Sequence, residues 1–234
     1  MGKILVERRY LEEIRYGYAI NHGKEGSCYF LEDDNVVAKL FHIYFNWRKI
    51  YFSEEKSLYI SFPIDTLIDS CCGQIAGYTM NYMPGEKFMP LDYPSGLRPN
   101  LLLSDLKQAY QTLKLEIQKF PNINMVDLCL DNILFDYENK KFNLIDTSRW
   151  YPEENVVDEN LENLNWQLMF ALCKGSLDWV NNPLNQDKNL HELYRMHKLA
   201  NQSLPMEFLE ELEIKMSERN NEKVKTIGDL NYKK

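Results

Sequence analysis

The stretch Met125-Val126-Asp127-Leu128-Cys129-Leu130-Asp131-Asn132-Ile133-Leu134, answered further on by Leu144-Ile145-Asp146-Thr147-Ser148, decides how this chain is read. Ile133-Leu134-Phe135 is a short apolar run, residues 136–141 are polar, and 142–145 are apolar again. Two short apolar runs joined by a polar turn spell a hairpin. The nineteen-residue step from Asp127 to Asp146 fits one loop followed by that hairpin.

Upstream of the loop, Leu106, Ala109, Tyr110, Leu113 and Ile117 follow helical spacing, so a helix is predicted over 104–120. Ser104-Asp105 offers its N-terminal cap, and Pro121 stops it. Downstream, 161–173 and 206–216 read as helices, the second with a charged outer face, and the Lys/Asn/Glu-rich last 17 residues are expected to fray. The first half reads differently. Residues 16–20, 28–31 and 36–41 are rich in aromatic and β-branched side chains and are parted by strong turn signals, which predicts an antiparallel meander. Trp47, Ile50, Tyr51, Leu58 and Tyr59 predict a helix after the third strand, and strands follow at 66–68 and 75–82. Pro84-Gly85 marks a boundary, giving an N-terminal domain of 1–84 and a C-terminal domain of 85–234.

Composition narrows the function classes. With 44% hydrophobic residues in 234, the chain has material for a real core, and wholesale disorder is excluded. The 35 acidic residues outnumber the 27 basic ones and the basic ones form no stripe, so nucleic acid is not an expected partner. Five cysteines without a CxxC spacing disfavour a disulfide framework and a zinc site. No stretch approaches the apolar length of a membrane span and no signal peptide is recognisable at Met1, so a cytoplasmic protein without a membrane partner is expected.

Two further segments carry candidate chemistry. Asn21-x-Gly23-x-x-Gly26-x-Cys28 lies in a turn between strands, where Gly23 and Gly26 can let backbone amides approach phosphate; an ordinary glycine-containing hairpin is the other reading. Lys39 interrupts the apolar run Val36-Val37-Ala38-Lys39-Leu40, either as the polar face of a strand or as a phosphate-binding cation. Glu55, with Glu54 as its neighbouring competitor, lies in the predicted helix and can neutralise Lys39; a solvated helix face is the alternative for both.

Taken in this order, the segments resemble the protein-kinase-like superfamily over roughly residues 16 to 175. The resemblance implies an α+β, two-lobed fold with an N-terminal antiparallel sheet plus helix and a small, mainly helical C-terminal lobe. It implies ATP and Mg²⁺ as cofactors. Asp127 matches the catalytic Asp that orients the attacking hydroxyl, Asn132 and Asp146 match the metal ligands, and Lys39 and Glu55 match the strand lysine and its helix partner. Met80-Asn81-Tyr82-Met83-Pro84-Gly85 resembles the strand leading into the hinge, with backbone groups of Asn81 and Met83 placed to meet adenine.

The match is broken at specific places. Met125-Val126 stand where His-Arg usually precede the catalytic Asp, Cys129 replaces a common Lys, and Thr147-Ser148 replace Phe-Gly after Asp146. The expected activity is transfer of the γ-phosphate to a hydroxyl of a protein or small-molecule acceptor. The broken positions keep open a pseudokinase-like, nucleotide-binding scaffold, and the short segment after Asp146 keeps open a small-molecule kinase of the aminoglycoside or choline phosphotransferase type. The sequence names no acceptor and no oligomeric state.

Overall fold

The computed structural model describes residues 2–32, 35–45, 50–54, 56–88, 96–200 and 202–231. Their packing separates into two units, one of residues 1–83 with 145–151 and one of 84–144 with 152–234.

The first unit is built on a six-stranded sheet. Its elements are β1 (Gly2–Val6), α1 (Arg8–Tyr16), β2 (Ala19–His22), β3 (Gly26–Leu31), β4 (Val36–Phe45), β5 (Pro63–Asp69) and β6 (Ile75–Asn81). The strand order is β1-β5-β6-β4-β3-β2, with β1 parallel to β5 and every other pairing antiparallel. The expected meander is therefore present, and the parallel edge strand β1 departs from a purely antiparallel sheet. Alternation in β4 separates two faces. Ala38 and Leu40 join Tyr29, Leu67 and Ala76 in a core against Leu11 and Ile14 of α1, whereas Val37 and Phe41 pack with Tyr78 and Met80 in a second cluster.

The helix expected after the third strand is absent from described residues 50–54 and 56–62, while Trp47 and Glu55 lie outside the described residues. The apolar residues there point to separate neighbours instead of sharing a helical face. The Tyr51 ring packs against Phe62 with centroids 6.0 Å apart, and Leu58 is exposed. The Ser57 hydroxyl accepts the amides of Tyr59 and Ile60, each at 3.0 Å, which holds the segment in a side-chain-capped turn. Among the described residues of this unit the α-helix is instead α1, with Leu11 and Ile14 buried three residues apart and an Arg9–Glu13 pair on its outer side.

The second unit opens with the two-residue strands β7 (Glu86–Lys87) and β8 (Ile123–Asn124), which flank α2 (Leu103–Gln118). The predicted hairpin follows as β9 (Ile133–Asp136) and β10 (Lys141–Leu144), with β7 paired to β9. The Asp136 carboxylate closes its turn by accepting the amides of Glu138 and Asn139 at 3.1 Å. α2 buries Leu106, Ala109, Leu113 and Ile117, the stripe its spacing predicts. Helices α3 (Val157–Phe170), α4 (Lys188–Ala200) and α5 (Pro205–Asn220) complete the unit, and α3 runs on into a wider π-type turn over Ala171–Ser176. Through residue 231 the tail is packed, against the expectation that it frays. Val224, Ile227 and Leu230 are buried, and backbone bonds join Leu103 to Lys225 and Ile227 to Leu101, both at 2.9 Å. Among the described residues no helix is long and apolar enough to cross a membrane.

Candidate functional site

In the first unit the cross-strand register sets Cys28, Lys39 and Tyr78 side by side on β3, β4 and β6. Directly paired residues project to the same face, so Lys39 shares its face with Val37 and Phe41. Lys39 is only 4% exposed. An ammonium so placed requires a counter-charge, and Oδ1 of Asp146 supplies it in an ion pair with Lys39 Nζ. The Tyr78 hydroxyl donates to the same oxygen at 3.2 Å. Burial, reinforced by the Asp146 charge, pushes the Tyr78 phenol well above its ordinary pKa, so it stays protonated and able to donate.

Asp146 occupies left-handed backbone space at φ 58° and ψ 46°, a conformation Asp tolerates better than most residues. The residues that follow lock it there. Thr147 Oγ1 donates to the Ser61 carbonyl at 2.9 Å, the Tyr51 amide donates to the Ser148 carbonyl at 3.2 Å, and Trp150 packs edge-on against Phe62. Where the kinase pattern has a movable Phe-Gly, this chain has two buried, tethered hydroxyl residues.

Ser61 does a second job, donating its hydroxyl to the Asn81 carbonyl at 2.7 Å. That carbonyl, one of the backbone groups expected to meet adenine, thus already has one partner; Met83 ends the first of this unit's two chain segments two residues later. In the β2–β3 turn the Gly23 amide donates to the Gly26 carbonyl at 2.9 Å, and the Gly23 carbonyl meets His42 Nε2 at 3.0 Å. Gly26 has a packing reason of its own, because a Cβ there would collide with the Leu40 carbonyl of β4. Glu55 lies outside the described residues, and Glu54 is exposed.

In the second unit the loop after β8 alternates inward and outward. Met125, Leu128 and Leu130 are buried, whereas Asp127 and Asp131 are exposed. Asp127, like Asp146, is left-handed, with φ 62°. Asn132 Nδ2 donates to the Asp127 carbonyl at 2.8 Å, and the Cys129 amide donates to that same carbonyl at 2.7 Å. The loop is thereby closed on itself and the Asp127 side chain left on its surface. Burial raises the Cys129 thiol above its ordinary pKa, so it contributes no anionic thiolate.

Three positioning residues escaped the sequence reading. Asn160 of α3 accepts the Met125 amide at 3.0 Å and donates to the Ile123 carbonyl at 2.8 Å, which fastens the backbone leading into Asp127. Its signal was legible as one polar residue on a buried helix face. Ser61 and Tyr78 had none, because their partners are set by strand register and long-range contact.

Among the described residues no cluster of three His, Cys, Asp or Glu side chains forms. The donors on offer are hard oxygens. Asp146 Oδ2 has no hydrogen-bond partner among the described residues, and the amide nitrogen of Asn132 is taken, leaving its carbonyl oxygen. Each of these oxygens, Asp146 Oδ2 in the first unit and the Asn132 side-chain carbonyl in the second, is of the hard kind that Mg²⁺ takes.

No protein-family model matches the sequence, and no curated protein matches it in sequence. Solved structures do match. An apo pseudokinase aligns over 89% of this chain and 78% of its own with a TM-score of 0.56 at 9% identity. The Cydia pomonella granulovirus kinase PK-1 aligns over 72% of this chain and 73% of its own with a TM-score of 0.46 at 16% identity. The fold is protein-kinase-like, an α+β architecture with an N-terminal sheet and a helical C-terminal part.

Proposed function

We propose that the chain binds ATP with Mg²⁺ and acts as a phosphotransferase toward a hydroxyl acceptor, residues 1–84 serving the nucleotide and 85–234 carrying the catalytic loop and the metal site. The observation that carries this reading is the buried ion pair between Lys39 and Asp146. A lysine so deep in a sheet, joined to a carboxylate on a strained residue, is costly unless the pair has a use. In this reading Lys39 receives the α- and β-phosphates, Gly23 and Gly26 line the turn beside them, and Asn81 and Met83 offer backbone groups to adenine. Asp146 and Asn132 would hold the Mg²⁺, which when bound neutralises triphosphate charge. Asp127, exposed on its tethered loop, orients the acceptor hydroxyl and takes its proton. The role of Glu55 as partner of Lys39 remains part of the proposal.

Asp146→Ala tests the reading. It is expected to abolish the magnesium-dependent part of ATP binding, followed by calorimetry, together with ATP turnover. Turnover unchanged in that variant would remove the metal assignment.

A second reading is a nucleotide-binding module without transfer, supported by Cys129 in place of a lysine and by the tethering of Thr147 to Ser61. Stabilisation by ATP and Mg²⁺, with no radiolabel passed to any protein or small-molecule hydroxyl, is its expected signature. A cytoplasmic location, with neither nucleic acid nor a membrane as partner, is part of the same proposal.

A further inference from the structure

Tyr78 is completely buried at the centre of the six-stranded sheet, where a phenylalanine would fill the same volume. A buried hydroxyl is costly unless bonded, and this one ends on Asp146 Oδ1, the oxygen that also takes the Lys39 ammonium. The ammonium itself lies 5.9 Å from the centre of the Tyr78 ring. The Asp146 backbone is already held by the Thr147–Ser61 bond, so the freedom left to this residue is rotation of its side chain.

We infer, resting on the nucleotide reading above, that Tyr78 is a positioning residue for Asp146: its phenol fixes Oδ1 and thereby dedicates Oδ2 to a divalent cation. The two groups on Oδ1 are not equivalent. Lys39 is cationic and is drawn toward phosphate once a nucleotide binds. Tyr78 is neutral, buried and fixed by its strand, and it stays on Asp146. Its contribution therefore emerges when metal and nucleotide are both present.

The test uses the full chain and a nonhydrolysable ATP analogue, titrated by calorimetry in EDTA and in Mn²⁺, with electron paramagnetic resonance of the bound Mn²⁺. Tyr78→Phe is expected to bind the analogue in EDTA within about twofold of the unaltered chain, while the tightening brought by Mn²⁺ falls by about fivefold, the worth of one hydrogen bond. The Mn²⁺ spectrum is expected to broaden as the ligand loses its fixed orientation. Incorporation of 3-fluorotyrosine at position 78 retains the donor and is expected to retain the tightening; it also carries the test if Tyr78→Phe does not fold. Equal Mn²⁺ tightening and identical spectra for Tyr78→Phe and the unaltered chain would overturn the inference alone, as would loss of tightening with 3-fluorotyrosine. An unaltered chain that gains nothing from Mn²⁺ would overturn the nucleotide–metal reading, and this inference with it.

Discussion

Lys39 and Asp146 stand 107 residues apart in the chain and form one ion pair, with Lys39 at 5% and Asp146 at 37% side-chain exposure. The pair is asymmetric. Removing the Asp146 charge strands an ammonium in an apolar sheet, whereas removing Lys39 leaves a carboxylate that water and Tyr78 can still serve.

Asp146→Asn is accordingly expected to lower stability by about 3 kcal/mol and Lys39→Met by about 1 kcal/mol or less. The double variant is expected to be more stable than Asp146→Asn alone. Urea denaturation of the three proteins checks the order, and equal losses for the two single variants would contradict the asymmetry.

The glycines of the first unit divide by neighbour. A Cβ at Gly26 or Gly77 would strike the backbone of β4, at the Leu40 and Lys39 carbonyls respectively, and backbone cannot step aside. At Gly23 the nearest atom is the Gly26 carbonyl oxygen at 3.4 Å, an ordinary contact. Gly26→Ala and Gly77→Ala are expected to cost about 2 kcal/mol or more, and Gly23→Ala less than about 1 kcal/mol. If Gly23→Ala nonetheless weakens nucleotide binding, the turn acts on phosphate independently of the sheet.

Asn160 holds the loop that carries Asp127 through two hydrogen bonds, one buried and one partly buried. Asn160→Ala leaves the Met125 amide and the Ile123 carbonyl without that partner, at an expected cost of about 2–3 kcal/mol. Hydrogen exchange at the Met125 amide is expected to quicken more than at the amides of α3 itself. Uniform quickening across the second unit would mean that Asn160 contributes only general packing.

His197 is 3% exposed, its Nδ1 lies 2.8 Å from Ser203 Oγ, and its ring packs with Trp166 at 5.5 Å. Burial first, and the neighbouring Lys198 second, lower its pKa to about 4 from an ordinary 6.5. The unfolded chain therefore binds a proton that the folded chain refuses between those values, and stability falls as pH drops from about 6.5 toward about 4. The full loss is about 3 kcal/mol. Urea denaturation at pH 7.5 and pH 5 measures the slope, and His197→Gln is expected to flatten it; an unchanged slope would place the titration elsewhere.

The parts of the fold written locally were legible. The hairpin of β9 and β10 and the helix α2 follow from alternation, turn residues and a repeating apolar stripe, each decided by residues a few positions apart. The parts decided by distant partners were not. β1 is a strand because it pairs with β5, some sixty residues away, and α1 carries only Leu11 and Ile14 as buried residues among charged neighbours. Conversely, Ile50, Tyr51 and Leu58 carry a helical spacing that Ser57 and the ring of Phe62 overrule.

By itself the sequence nominated Lys39, Asp127, Asn132 and Asp146 as candidate side chains, each marked by its setting in a short, locally coded segment. Only the tertiary structure decided what those side chains touch: that Asp146 answers Lys39, that Tyr78 shares the bond, that Ser61 tethers Thr147 and that Asn160 secures the Asp127 loop. The reason is physical. Period and turn chemistry act over a few residues, whereas the partner of a buried charge is chosen by strand register and by the cost of leaving it alone.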